Sequence, residues 1–325
     1  MSNKVNRAPE AKKKEVNEKI LLGVFLAALI FTLLFLSLGA FAQERVEPLP
    51  FGDFEHWTER QIKESWLIGG QTRTLYKIGG PWSSSNAYAK AMGVDKVSVS
   101  VTPEKRGNGY CCRMESTLEE VSAAGIDFKA LATGSIYTGT MLDVIGMKQS
   151  SDPNSAIDMG VPFTERPTAL VLDYKALIQD AAAVYAPAKT KVKEVSGRDK
   201  GQITLILQHR WEENGHVYAY RVGTAQKYIN QSTDWKNNFR LPVQYGEAGK
   251  AVKALSNNRH KTHNSKGQMV CIEEVDFRDD VQPTHLIIQI SAGSMAPFTG
   301  CPGNTVWVDN IALVYNNSSL AYNEK

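Results

Sequence analysis

An all-β sandwich is the fold that the sequence predicts, on three observations. Short runs of alternating or β-branched residues recur from Glu44 onward, separated by Gly, Pro, Asn and Asp. Long helical periodicity is hard to find in the same stretch. The composition is that of a folding chain, with 42% hydrophobic, 22% charged and 9% aromatic residues over 325 positions, enough for a large apolar core. Many short strands joined by turn-rich links read as a sandwich or barrel.

The elements follow from local pattern. In residues 96–102 (KVSVSVT) the valines at 97, 99 and 101 face one way and the serines at 98 and 100 the other, the period of two of a half-buried strand. Further strands are expected over residues 168–174 (TALVLDY), 202–211 (QITLILQHRW), 217–222 (VYAYRV), 285–291 (HLIIQIS) and 305–315 (TVWVDNIALVY). Residues 174–188 (YKALIQDAAAVYAPA) have helical propensity and a stop at Pro187, which predicts a short helix or a crossing loop. Residues 248–268 begin with helix formers and end basic and polar, so 257–266 is expected to be a solvated loop, with a basic ligand surface as the alternative. With no internal repeat and no Pro-, Gly- or Ser-rich linker, residues 43–325 read as a single domain.

The net charge of +3 is local. The first 19 residues hold six basic and three acidic side chains, leaving 31 of each sign in the rest. A neutral body has no general attraction for a polyanion, which argues against nucleic acid as a partner. Residues 20–42 (ILLGVFLAALIFTLLFLSLGAFA) carry no charge, and a helix of that length crosses a hydrocarbon layer of about 30 Å. The run ends in Ala40-Phe41-Ala42, the A-x-A pattern at which signal peptidase cuts. Residues 1–19 are therefore a basic cytoplasmic segment, and 20–42 are either a signal peptide cut after Ala42 or an uncut membrane anchor. Both readings export the remainder to the periplasm or cell surface. Membrane contact is confined to the N-terminal segment.

Cys111, Cys112, Cys271 and Cys301 permit disulfides in an exported chain. A bond between the adjacent pair would be strained, and buried thiols are the alternative. Their spacing matches no zinc pattern.

Three blocks carry a resemblance: residues 51–57 (FGDFEHW), 160–170 (GVPFTERPTAL) running into VLDY at 171–174, and 298–315 (FTGCPGNTVWVDNIALVY). In this order they resemble the bacterial family called the putative carbohydrate metabolism domain, and weaker similarity extends over residues 51–315. The resemblance implies a jelly-roll-like β sandwich, found in exported proteins of glycan-degrading bacteria, and hence a poly- or oligosaccharide partner. Glu165 stands where the family has a small residue, Cys301 and Pro302 occupy the turn before the last strand, and no lipobox follows the leader. In carbohydrate-binding jelly rolls with a similar first block and last strand, an acid of the former and the Asp of the latter hold a structural calcium. By that analogy Glu55 and Asp309, with Asp53 as a third ligand, would bind calcium through hard oxygens. The alternative is that Asp309 caps a turn or pairs with Arg or Lys.

A sugar stacks its C–H face on an aromatic ring and turns its hydroxyls to planar polar groups. Trp66, Trp82 and Tyr88 crowd one early region. Trp82 in GGPWSSSN and Trp235 in STDWKNN have loop-like surroundings. These four are the expected ligand-binding residues, against the alternative that they plug the sandwich ends. Trp57, Trp211 and Trp307 lie in strand-like runs and are expected in the core. A glycosidase needs two carboxyls about 5–9.5 Å apart. Glu274 and Asp276 in CIEEVDFRDD would share one face of a strand, making them the catalytic candidates. G-x-S-x-G, H-E-x-x-H and Walker A motifs are missing from the sequence. The leading expectation is a non-catalytic carbohydrate-binding protein, followed by a glycoside hydrolase and by a structural or adhesive envelope protein.

Overall fold

Strands make up most of the chain in a computed structural model that describes residues 44–316 apart from 92, 124–125, 147, 150–151, 190 and 257–258. The expected leader at 20–42 and the segment before it lie outside the described residues. Among the described residues no helix is long and apolar enough to cross a membrane. The helical turns, such as Trp66–Ile68 and Gly246–Ala251, are short 3-10 segments.

Two large sheets form the body. One runs Thr233–Pro242, Ala169–Leu177, Thr305–Asn316, Gly109–Glu115, Val101–Arg106, with Glu44–Pro48 also on Thr305–Asn316. The other runs Ile157–Met159, Ser135–Met141, His285–Ser291, Gly201–Glu213, His216–Ile229, Met269–Phe277, Lys261–His263, with Trp82–Ser84, Val161–Pro162 and Gln244–Tyr245 attached. Alternate residues of each strand face inward. Leu170, Leu172, Val306, Val308 and Leu313 from the first sheet meet Ile203, Leu205, Leu207, Leu286, Ile288 and Ile290 from the second in one hydrophobic cluster. Truncating such a core Leu to Ala typically costs about 2–5 kcal/mol. The first and last segments meet: Leu49 N–H donates to Ile311 O at 2.9 Å and Ile311 N–H to Gly52 O at 3.0 Å. A Cβ on Gly52 would lie 2.9 Å from Ile311 O, so the approach requires glycine.

Three local expectations are corrected. Residues 174–188 contain no helix. The Ala169–Leu177 strand continues to pair with Thr305–Asn316, and Ala183–Tyr185 pairs with Lys193–Val195 and Thr299–Gly300. A helix of that length is marginal alone, and the ladder satisfies the backbone instead. The strand expected over 96–102 divides into Val94–Ser98 and Val101–Arg106, because the N–H groups of Ser100 and Val101 both donate to Asn86 Oδ1 at 2.9 Å. Residues 257–266 are not a solvated loop throughout. Lys261–His263 pairs with Met269–Phe277, and His260 and Asn264 are buried. The four cysteines are free thiols. Burial first, then the nearby Glu104 carboxylate, pushes the Cys111 thiol up to about 12.

Candidate functional site: an aromatic shelf

The Gly201–Glu213 strand outruns its neighbour. Its ladder with His285–Ser291 ends at Gln208 opposite His285, whereas its pairing with His216–Ile229 continues to Glu213 opposite His216. The turn is Asn214-Gly215, both with positive φ, the two-residue hairpin chemistry of an Asn-Gly pair. Period two carries the inward set Ile203, Leu205, Leu207 on to His209 and Trp211. Their cross-strand partners are Tyr220 and Tyr218. The core face therefore runs on beyond the apolar core as a shelf of four half-buried rings. Ring centroids are 4.7 Å apart for Trp211–Tyr220, 5.7 Å for Trp211–Tyr218 and 6.4 Å for His209–Tyr220.

Polar groups flank the rings. On the parallel Met269–Phe277 strand, Glu273 lies opposite Tyr218 and Asp276 opposite Tyr220, both exposed. The Arg278 guanidinium sits 5.2 Å from the Tyr220 centroid and donates Nε–H to Asp280 at 2.6 Å. The hydrogen bond to Asp280 and its charge raise the Arg278 pKa further, so the group is always cationic. Flat faces beside carboxylates and a guanidinium suit a pyranose.

The GVPFTERP block anchors the loop that carries Arg278. Arg166 donates to Asp279 O at 2.9 Å and to Val281 O at 3.1 Å. It lies 4.5 Å from the Tyr245 ring, whose hydroxyl donates to Pro167 O at 2.7 Å. Phe163 N–H donates to Thr284 O at 2.9 Å, and Gln282 Nε2 donates to Thr164 O. His209 Nδ1 then bonds Gln282 O at 2.6 Å. Gly160 has φ +94°, and a Cβ there would lie 2.6 Å from Arg210 Nη2.

Glu274 and Asp276 do not form a catalytic pair. Ala219 faces Glu274 and Tyr220 faces Asp276, so Val275 is an extra residue in a bulge, which reverses the alternation. Asp276 stays with the shelf, while Glu274 points to the opposite face and is fully buried. There it accepts from Arg221 Nε at 2.7 Å, Gln208 Nε2 at 2.6 Å and Ser256 N–H at 2.5 Å. Burial alone would raise its pKa, but Arg221, Ser256 and Gln208 outweigh that and hold it below the usual range. His260, buried over the same pair, is pushed down to about 3 mainly by desolvation. Lys253 is lowered to about 8 by burial and by Arg259 and Arg221.

The expected aromatic platform does not assemble. Trp82 is 3% exposed, donates Nε1–H to Pro50 O at 3.0 Å and lies 6.0 Å from Phe54. Its loop is drawn in because Phe51 lies on Gly79 and Gly80, where a Cβ would approach the ring to 2.4 and 2.3 Å. Tyr88 is buried under Arg60 and Lys90. Trp235 is in the Thr233–Pro242 strand rather than a loop, and Arg106 covers its ring at 3.9 Å. Trp66, in contrast, is 86% exposed. Of the shelf rings only Trp211 is singled out by the sequence reading, as a core residue, and it is half exposed instead. The signal that marks them is the mirrored aromatic alternation about Asn214-Gly215.

The calcium ligand set does not fit. Asp309 Oδ2 contacts Arg106 Nη1 at 2.6 Å, and Asp173 Oδ2 contacts the same nitrogen at 2.8 Å, the cation-pairing alternative. Asp309 is shifted up chiefly by burial. Burial would raise Asp173 too, but hydrogen bonds from Asn310, Asn238 N–H and Arg106 prevail and lower it. Glu55 accepts from Tyr110 N–H at 2.9 Å, and Asp53 accepts from Glu55 N–H at 3.4 Å. Among the described residues no three His, Cys, Asp or Glu gather as a metal site.

Comparison with curated proteins returns no match. Among solved structures, the chain is similar to a "putative glycoside hydrolase" from Bacteroides thetaiotaomicron VPI-5482, at 18% identity and TM-score 0.45, covering 80% of this chain and 72% of that one. It is also similar to a "putative glycoside hydrolase" from Bacteroides vulgatus ATCC 8482, at 16% identity and TM-score 0.44, covering 83% and 94%. The model of the family described as "Putative carbohydrate metabolism domain" matches residues 53–314. Those residues are most of the sequence and include the strands of the shelf and the loop behind it, so the chain belongs to that family and its function is carbohydrate-related.

Proposed function

We propose that this is an exported carbohydrate-binding protein of the cell envelope that captures a poly- or oligosaccharide on the aromatic shelf, without a bond-breaking step. The observation that carries the reading is the contiguous, half-open row His209, Trp211, Tyr218 and Tyr220, bordered by Glu273, Asp276 and Arg278. The half-exposed row gives apolar ring surface for a sugar's C–H patch, and the rigid hairpin keeps the ordering cost of binding small. The row is extended, which suits several sugar units of a chain better than one enclosed ring. The charged apolar-segment pattern at residues 1–42 supports export, and its uncut form would tether the shelf to the membrane.

The test is retention on a panel of immobilised glucans, xylans, mannans and host-type glycans. Wild-type protein is expected to bind one class selectively, and Trp211→Ala to weaken that binding at least tenfold, about 1.4 kcal/mol. Full retention by Trp211→Ala contradicts the reading. Release of reducing sugar that disappears in Glu273→Gln would replace capture with hydrolysis.

A further inference from the structure

A second feature lies outside the shelf. Trp66 opens the three-residue turn Trp66–Ile68 and is the most exposed large apolar side chain described, at 86%. The residues that follow it in the same turn, Leu67 and Ile68, line a cavity of about 230 Å³ together with Glu64, Lys96, Glu120 and Val121. The turn is held firmly. Ser65 N–H donates to Asp95 O at 3.0 Å, Asp95 N–H returns a bond to Ser65 Oγ at 2.7 Å, and Gly70 N–H donates to Ser65 O at 3.1 Å. Gly69 and Gly70 take φ of 103° and 63°, where a side chain would be strained. The cavity walls are fixed too. Glu64 Oε1 accepts Val97 N–H at 2.9 Å, Lys96 pairs with Glu119 at 2.8 Å, and Glu120 pairs with Lys129 at 2.7 Å.

An indole placed in water on a rigid turn gains nothing for the fold. A solvated ring on the same short turn that walls a concave, mainly polar surface offers the two parts that sugars use, a flat apolar face and nearby carboxylates and an ammonium. We infer that Trp66 and this cavity form a second saccharide-binding site, separate from the shelf, that takes one terminal or side-branch sugar. Trp66 stacks on the C–H face, and Glu64, Glu120 and Lys96 meet the hydroxyls. The size of the cavity, below that of a drug-sized pocket, fits one ring rather than a chain. Two sites on one body convert the second binding event into an intramolecular one, which strengthens retention on a polymer without new contacts. The inference rests on the saccharide reading of the protein but not on the shelf.

The experiment is isothermal titration of the full chain, kept in a detergent without sugar headgroups, with gluco-, xylo- and manno-hexaoses. Trp66→Ala, Trp211→Ala and the double variant are compared with wild type. Trp66 is solvated, so its loss leaves folding intact. Two equivalents for wild type, one for each single variant and none for the double variant are expected, with retention on the matching polysaccharide at least tenfold weaker in each single variant. If Trp211→Ala abolishes all binding and Trp66→Ala none, the second site is overturned while the shelf stands. If Trp66→Ala abolishes all binding and Trp211→Ala none, the shelf fails and the cavity site stands. Binding unchanged in both single variants, or no hexaose bound by wild type, overturns the second site as well, and leaves Trp66 as an anchor for a protein partner.

Discussion

On one face of the strands Gly201–Glu213, His216–Ile229 and Met269–Phe277, Arg221 and Glu274 have no solvent exposure, and Gln208 and Ser256 complete their hydrogen bonds. On the other face, Trp211, Tyr218 and Tyr220 stay half open, with Glu273 and Asp276 exposed at their border. The two faces share a backbone and differ in what covers them. Ala254, Ser256 and His260 close over the first, so each polar group there must find a protein partner. The second runs past the core, and its polar groups keep water that a ligand can replace. A carboxylate neutralised by a buried guanidinium is a structural group, and one left beside open rings is a binding group. Val275 sorts the acids, since its bulge sends Glu274 to one face and Asp276 to the other.

The largest effect that sharpens this contrast is on the closed face. Glu274→Ala should cost about 3–5 kcal/mol of stability by leaving Arg221 buried and unpaired, read by urea unfolding. Replacing both partners, as Arg221→Met with Glu274→Leu, should recover most of the loss. Shelf affinity measured on the folded fraction should change by less than about threefold, within the usual additivity of separate sites. Acid should also strike the closed face. His260 has a folded pKa of about 3 against an ordinary 6.5. Between those values the unfolded chain binds a proton that the folded chain refuses, so stability falls as pH drops from 6.5 toward 3, at up to about 1.4 kcal/mol per pH unit. Glu274, held below its ordinary value of 4.5, adds its own loss only under that pH. Urea midpoints at pH 7, 6 and 5 check the slope, which His260→Gln should flatten.

The open face should show the reverse profile. Tyr220→Ala should weaken saccharide binding about tenfold while costing less stability than Glu274→Ala. The smallest effect belongs to Trp235, whose face is already taken by Arg106 at 3.9 Å. Trp235→Ala should cost about 0.5–1 kcal/mol of stability from the lost cation–π contact and leave glycan retention unchanged. A large loss of retention in that variant would mean that the covered face is also used.

The strand pattern was legible because alternation is local: Ile203, Leu205 and Leu207 announce their burial, and the 285–291 and 305–315 strands appear where the residues place them. The site was less so. His209 and Trp211 continue the same alternation as the core residues, and nothing local says where the opposite cover ends. Trp82 looks exposed among Gly, Pro and Ser, yet Phe51 settling on Gly79 and Gly80 pulls it inward. Glu274 and Asp276 look like one face until a single bulged residue intervenes. Asp309 needed a residue 203 positions away, Arg106, to show its partner. These are long-range facts of cover, register and pairing, and local periodicity does not contain them.

The most direct measurement is a titration of the six tryptophan indole N–H signals, assigned by substitution, with an oligosaccharide of the class that the panel selects. The account predicts that Trp211 shifts strongly, while Trp57, Trp82 and Trp307 stay still and Trp235 moves little. A silent Trp211 with a large shift at Trp235 would contradict it, and would place the binding surface on the outer face of the sheet that holds Asp173 and Asp309.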